Sequence, residues 1–171
     1  MILLLLLAGH ETTVNLVASG VLALLEHPDE LERLRAQPDL MGTAVEEMLR
    51  YCNPVEHGNV RIALDDIEVA GHTIPKGSIV VLLLASANRD ESIFDRPDSF
   101  DVARDPNRHL AFGFGIHYCL GAPLSRVEAQ IAVRQIISRF PHMRLAIDPS
   151  QLRWRSAMAI RGLEQLPIHL Q

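Results

Sequence analysis

FGFGIHYCLG, residues 112–121, is a glycine-rich loop that carries one cysteine toward a helix. Gly113, Gly115 and Gly121 bracket Cys119, and glycine both reaches positive φ and lets a backbone approach a flat ligand closely. The stretch that follows, APLSRVEAQIAVRQIISRF, is rich in helix formers and repeats apolar residues at helical spacing, at Leu124, Val127, Ile131 and Ile136. Cys119 is therefore expected at a helix N-terminus, where unpaired amides and the macrodipole favour an anion and lower a thiol pKa. A thiolate held by amide donors is suited to bind a metal. A single cysteine in a tight turn is more often a buried free thiol, so the cysteine alone favours that second reading.

The 171 residues suffice for one domain with a real core. A net charge of −5 argues against nucleic acid as the main partner. Cys52 and Cys119 lie far apart and outside any CxxC spacing, which excludes a disulfide framework or a cysteine-rich zinc site and fits a reducing compartment. The opening MILLLLLAG has no basic leader, and its apolar run ends at His10, Glu11, Thr12 and Thr13. A membrane-spanning helix needs roughly 20 apolar residues, so a buried core helix is expected instead, with no membrane partner.

Working outward from the loop, residues 2–26 read as one long helix that begins at full hydrophobic strength without an N-cap residue. Ala8 and Gly9 open a notch on one face, and Thr12 is spaced to donate to the carbonyl of Ala8. A notch, a carboxylate (Glu11) and a hydroxyl (Thr12) can together deliver protons to a bound oxygen species; a core helix whose polar residues find neighbours explains the hexapeptide equally well. Pro28 starts a second helix, and Met41–Tyr51 reads as a third, on which Glu47 and Arg50 share a face. Such pairs are usually surface features of little energetic weight. Residues 60–85 alternate as a small β-sheet with turns at 70–72 and 75–77, and Arg61 falls in its first strand. Residues 90–111 form a meander without period. After the helix that follows Cys119, Met143–Ile147 and Leu166–Leu170 read as strands.

Taken together, the Phe-Gly-x-Gly-x-His-x-Cys-x-Gly loop, the AGHETT segment at 8–13, Glu47-x-x-Arg50 and Arg104 in the meander resemble the cytochrome P450 (haem-thiolate) family, in its order and at plausible separations. The resemblance spans essentially the whole chain and points to soluble bacterial members. It implies a mainly α fold with small β-sheets, of which residues 1–171 would be the C-terminal part, starting within the long central helix and lacking the N-terminal portion. It implies heme b (iron protoporphyrin IX) as cofactor, with Cys119 as the iron ligand. Ala8, Arg61, Phe112, Gly113, His117 and Gly121 would contact the haem, Arg61 and His117 through its propionates and Phe112 by shielding the sulfur. Glu11 and Thr12 would be the catalytic acid–alcohol pair, and Glu47, Arg50 and Arg104 a structural clamp.

The implied activity is a monooxygenase that inserts one atom of O2 into a small organic substrate. Its electrons would come from a ferredoxin- or flavodoxin-type donor with its reductase, in the cytoplasm. Arg104, Arg108, His109 and Arg126 would make the cysteine side basic and suited to an acidic donor. The family's final hairpin would lie in RWRSAMAIRGLEQLP, with Met158 and Ala159 the residues assigned to the substrate side. A non-catalytic haem protein and an inert truncated gene product are the alternatives; the intact Glu11–Thr12 pair speaks against the first of them. Losing the upstream helices would leave apolar surface uncovered.

Overall fold

Helix α1 (Ile2–Glu26) is the axis of the helical core. The computed structural model describes residues 2–155 and 159–171. Along α1 the surroundings change abruptly. Leu16, Val21, Leu22, Ala23 and Leu24 are buried, whereas Leu6 and Val14, nearer its start, are exposed. The buried half packs on α3 (Met41–Cys52) and α5 (Ala122–Arg139), which also pack on each other. The three helices share a core built from Leu16, Leu24, Val45, Met48, Ala129 and Val133. Gly20 sets the approach of α1 to α3, since a Cβ there would fall 2.6 Å from Met48 Sδ.

Helix α2 (Pro28–Ala36) begins with proline at its first position, where the missing N–H costs nothing. The preceding His27 turns its Nδ1 back on the Ala23 carbonyl at 2.8 Å, and its ring packs between Tyr51 and Phe100. Helix α3 ends at Asn53, whose φ of 35° is left-handed, followed by Pro54.

Strand character between 60 and 85 resolves into two separate antiparallel ladders. Strand β1 (Arg61–Ile62) pairs with β4 (Ile79–Val80), while β2 (Ile67–Val69) and β3 (His72–Ile74) form a hairpin turned by Ala70 and Gly71, both at positive φ. The expected strand does not continue to residue 85. Instead Leu84–Ala87 forms a short helix, α4. Its two alanines favour that turn, which brings the buried Asn88 inward to accept from the Leu110 N–H at 2.7 Å. The two expected strands are present, shorter than expected, as β5 (Arg144–Leu145) and β6 (Ile168–His169), which pair antiparallel, and the final hairpin closes through Trp154 opposite Leu163.

The meander lacks helix and strand, yet its backbone is held firmly. Glu47 and Arg50, which spacing alone suggests would be a surface pair, are both fully buried. Arg50 donates to the two Glu47 oxygens at 2.8 Å each, and Arg104 Nε reaches the same two oxygens at 3.1 Å. The outer nitrogens of both arginines then bind meander carbonyls: Arg50 those of Asn88, Pro97 and Ser99, and Arg104 those of Asp95, Arg96 and Ser99. Glu47 also accepts from the Asp101 N–H and the Asn107 side chain, both at 3.0 Å. The clamp supplies an aperiodic segment with the partners a helix or sheet would otherwise give.

Removing the Glu47 charge leaves two guanidinium groups without their counter-ion in the core. Breaking such a buried pair costs about 3–5 kcal/mol, so Glu47→Gln is expected to lower stability by about that amount in denaturant unfolding.

Candidate functional site

Phe112 and Cys119 are joined across the loop by their backbones. The Cys119 N–H donates to the Phe112 carbonyl at 3.0 Å, and the Tyr118 N–H donates to Gly115 at 3.0 Å. Gly113 and Gly115 have φ of 72° and 74°, a region that costs other residues strain, so both positions require glycine. Gly121 differs from that expectation. Its φ is −81°, and it serves as the N-cap of α5. Cys119 consequently stands two residues before the N-cap, outside the helix, with its carbonyl accepting from the Ala122 N–H at 3.2 Å.

The bland alternative of a buried free thiol does not hold for Cys119, which is exposed. It sits among apolar side chains that are also uncovered: Phe114 and Leu120 are 86% exposed and Ile116 98%. A loop that holds a thiol outward amid bare apolar groups presents a surface for a flat apolar ligand. Cys52 is the contrasting case, because burial pushes its thiol up to about 12 and keeps it protonated.

Beside the loop lies a carboxylate the sequence reading passed over. Glu46 accepts from Arg126 Nε at 2.7 Å and Nη2 at 2.9 Å, and meets His109 Nε2 at 3.0 Å. The Ala111 N–H donates to His109 Nδ1 at 3.2 Å, which places the imidazole proton on Nε2, facing Glu46. Arg126 also donates to the Tyr118 hydroxyl at 3.2 Å and stacks over the Phe112 ring at 4.7 Å. The Phe112 ring packs on Arg126, Tyr118 and His109, while its carbonyl meets the Cys119 N–H.

The expected basic face is also altered. Of Arg104, Arg108, His109 and Arg126, three are engaged by Glu47 or Glu46, and Arg108 is left exposed.

On α1, Thr12 Oγ1 donates to the Ala8 carbonyl at 2.7 Å, the bond its spacing suggests. Glu11 faces Arg155 of the final hairpin at 3.5 Å, a partner no local spacing could reveal. Thr13 bonds Ser125 at 3.3 Å and so ties α1 to α5 six residues after Cys119. Arg61 lies exposed on β1 opposite Val80, and His117 is exposed at the end of the single turn Gly115–His117. Among the described residues neither side chain bonds to the cysteine loop. Ala159 contributes its carbonyl to the Glu56 N–H at 3.0 Å, whereas Met158 lies outside the described residues.

With this geometry in view, the comparisons with known proteins converge. The cytochrome P450 family model matches residues 1–152. The polyketide biosynthesis cytochrome P450 PksS of Bacillus subtilis is 49% identical over 170 residues, covering 99% of this chain and 42% of its own length. The cytochrome P450 monooxygenase PikC of Streptomyces venezuelae is 51% identical, with 96% and 40% covered. The ligand-free structure of the P450 monooxygenase TamI superposes with a TM-score of 0.96 at 48% identity, over all of this chain and 42% of that one. The chain belongs to the cytochrome P450 family, and it spans about two-fifths of the length of the curated relatives it matches. Its fold is that of the family, mainly helical with small sheets. Among the described residues no helix is long and apolar enough to cross a membrane. The family implies haem, and the exposed thiol of Cys119 in its apolar surround fits that group.

Desolvation alone would raise the Glu46 pKa, but hydrogen bonds from His109 and Arg126 outweigh it and hold the carboxyl at about 2 instead of 4.5. The folded value is depressed, so Glu46 contributes stability fully above about pH 4.5 and loses it as pH falls toward 2. Thermal midpoints measured from pH 6 downward are expected to fall less steeply below pH 4.5 in Glu46→Gln than in the wild type, from a lower starting value.

Proposed function

We propose that this chain is the C-terminal portion of a haem-thiolate monooxygenase. The observation that carries the reading is the presentation of Cys119: an exposed thiol, tied by its backbone to Phe112, on a loop whose two positive-φ positions are glycines. Cys119 would bind the iron of heme b through its sulfur, Gly113, Gly121 and Ala8 of α1 would contact the haem, and Arg61 and His117 would bind its propionates. Arg61 suits that task, being an exposed guanidinium able to bind a carboxylate in two places. When bound, a thiolate-ligated haem supplies the electron push that activates O2. The net reaction takes substrate C–H, O2, two electrons and two protons to an alcohol and water.

Proton handling falls to Glu11 and Thr12. While Thr12 Oγ1 donates to the Ala8 carbonyl, its own lone pairs stay free to accept from water, so the hydroxyl can orient a water without giving up its helix bond. Glu11 is half-exposed and paired with Arg155, placing a proton-exchanging carboxylate one residue away, in contact with solvent. Substrate would be a small organic molecule, the electron donor a ferredoxin or flavodoxin with its reductase, and the location cytoplasmic. Further protein is needed beside α1 and α5, where an apolar groove of about 830 Å³ runs between Val14, Val17, Leu124 and Ile136. The isolated 171 residues are therefore expected to bind haem weakly and turn over little.

The test is a chimera in which residues 1–171 replace the matching part of PksS. Its reduced, carbon-monoxide-bound difference spectrum is expected to carry the red-shifted Soret band of thiolate ligation, lost in Cys119→Ser. A folded chimera with a histidine-type band would refute the reading. In the same protein Thr12→Ala is expected to divert most electrons from product, whereas unchanged coupling would favour a haem protein without monooxygenase chemistry.

A further inference from the structure

We propose that Glu46 is the positioning residue of the Cys119 loop, a single carboxylate that closes the loop by holding both of its ends. His109 stands three residues before Phe112 and Arg126 seven residues after Cys119, and the two meet on the same carboxylate of α3. The entire glycine-rich loop lies between them. A free loop of that length would sample many conformations, and fixing its ends on one rigid helix removes most of them. Both bonds are of the strong kind: Arg126 grips Glu46 with two nitrogens, and His109 has its tautomer set by the Ala111 N–H.

The path from this carboxylate to the sulfur is short. Arg126 stacks on the Phe112 ring and donates to the Tyr118 hydroxyl, so it touches residues on both strands of the loop. Phe112 in turn holds the Cys119 N–H through its carbonyl, and Tyr118 is the neighbour of Cys119 in the chain. Any displacement of Arg126 therefore reaches Cys119 along both strands. This role is separate from that of Glu47, whose bonds run to Arg50 and the meander at 101–107. The link to ligand geometry rests on the haem-thiolate reading; the link to loop order does not.

Amide hydrogen exchange in the folded chimera tests the loop directly. In Glu46→Ala the amides of residues 112–119 are expected to exchange on the order of tenfold faster, as they would on loss of one charge-assisted anchor, with those of residues 15–24 unchanged. Arg126→Lys, which keeps the charge but lacks the two-pronged grip, should give the same local pattern more weakly, and Glu46→Asp an intermediate one. Unchanged exchange at 112–119 in both Glu46→Ala and Arg126→Lys would overturn the proposal. So would an equal rise across residues 15–24, because Glu46 would then be a general support of the fold. In the haem-loaded chimera, Glu46→Ala is expected to convert part of the thiolate-type band to that of a protonated thiol. A loosened loop with an intact thiolate-type band would retain the anchor and refute its effect on the ligand.

Discussion

The buried carboxylate of Glu47 is the constraint on which the rest of the structure depends. Two guanidinium groups, a backbone N–H and an amide converge on its two oxygens. An ion cluster of this kind is not a source of net stability relative to a well-packed apolar core. Its value is geometric. The meander between α4 and the cysteine loop has no periodic structure, so its carbonyls need donors, and the outer nitrogens of Arg50 and Arg104 supply them at fixed places. An aperiodic segment thereby gains one conformation and delivers the chain to His109 at a defined point.

Glu46 and Glu47 illustrate how adjacent residues on a helix serve different neighbours. Successive positions on α3 point about 100° apart, so one carboxylate faces the meander and the next faces α5 and the loop. The first organises the approach to the cysteine and the second grips the loop at its ends. Phe112 lies where the two effects meet, with its ring against Arg126 and its carbonyl on Cys119.

Much of this was legible in the sequence because it is local or carried by a specific pattern. Helical spacing sufficed to place α1, α3 and α5, and the four-residue interval from Ala8 to Thr12 sufficed for their hydrogen bond. Arg104 was identified as the third member of the clamp through the family pattern. What spacing could not convey was burial: Glu47-x-x-Arg50 looks the same on a solvated face as in a core. Long-range partners were equally hidden, since Glu46 to Arg126 and Glu11 to Arg155 join residues with no periodic relation. The misread end of the strand region has a local cause. Leu82–Leu84 continues the apolar run, but the chain turns at α4 because Asn88 is drawn inward, and that demand comes from Leu110 and Arg50.

The two sides of the candidate site differ in how far the chain supports them. On the cysteine side, every position from Glu46 to Arg126 that fixes the loop has its partner within these residues, and the backbone bonds close on one another. On α1, the early turns that hold Ala8, Glu11 and Thr12 are largely uncovered; among the described residues they are tied by Thr13 to Ser125 and by the half-exposed contact of Glu11 with Arg155. Side chains that hold a thiol in place can be organised by packing within one compact unit. The apolar groove between α1 and α5 is lined by Gly9, His10, Thr13, Val14 and Val17 of α1 and by none of Ala8, Glu11, Thr12 or the cysteine loop, so it runs along a different face of that helix. The residues gathered here therefore encode how the Cys119 thiol is held within one packed unit, while the early turns of α1 present an uncovered face.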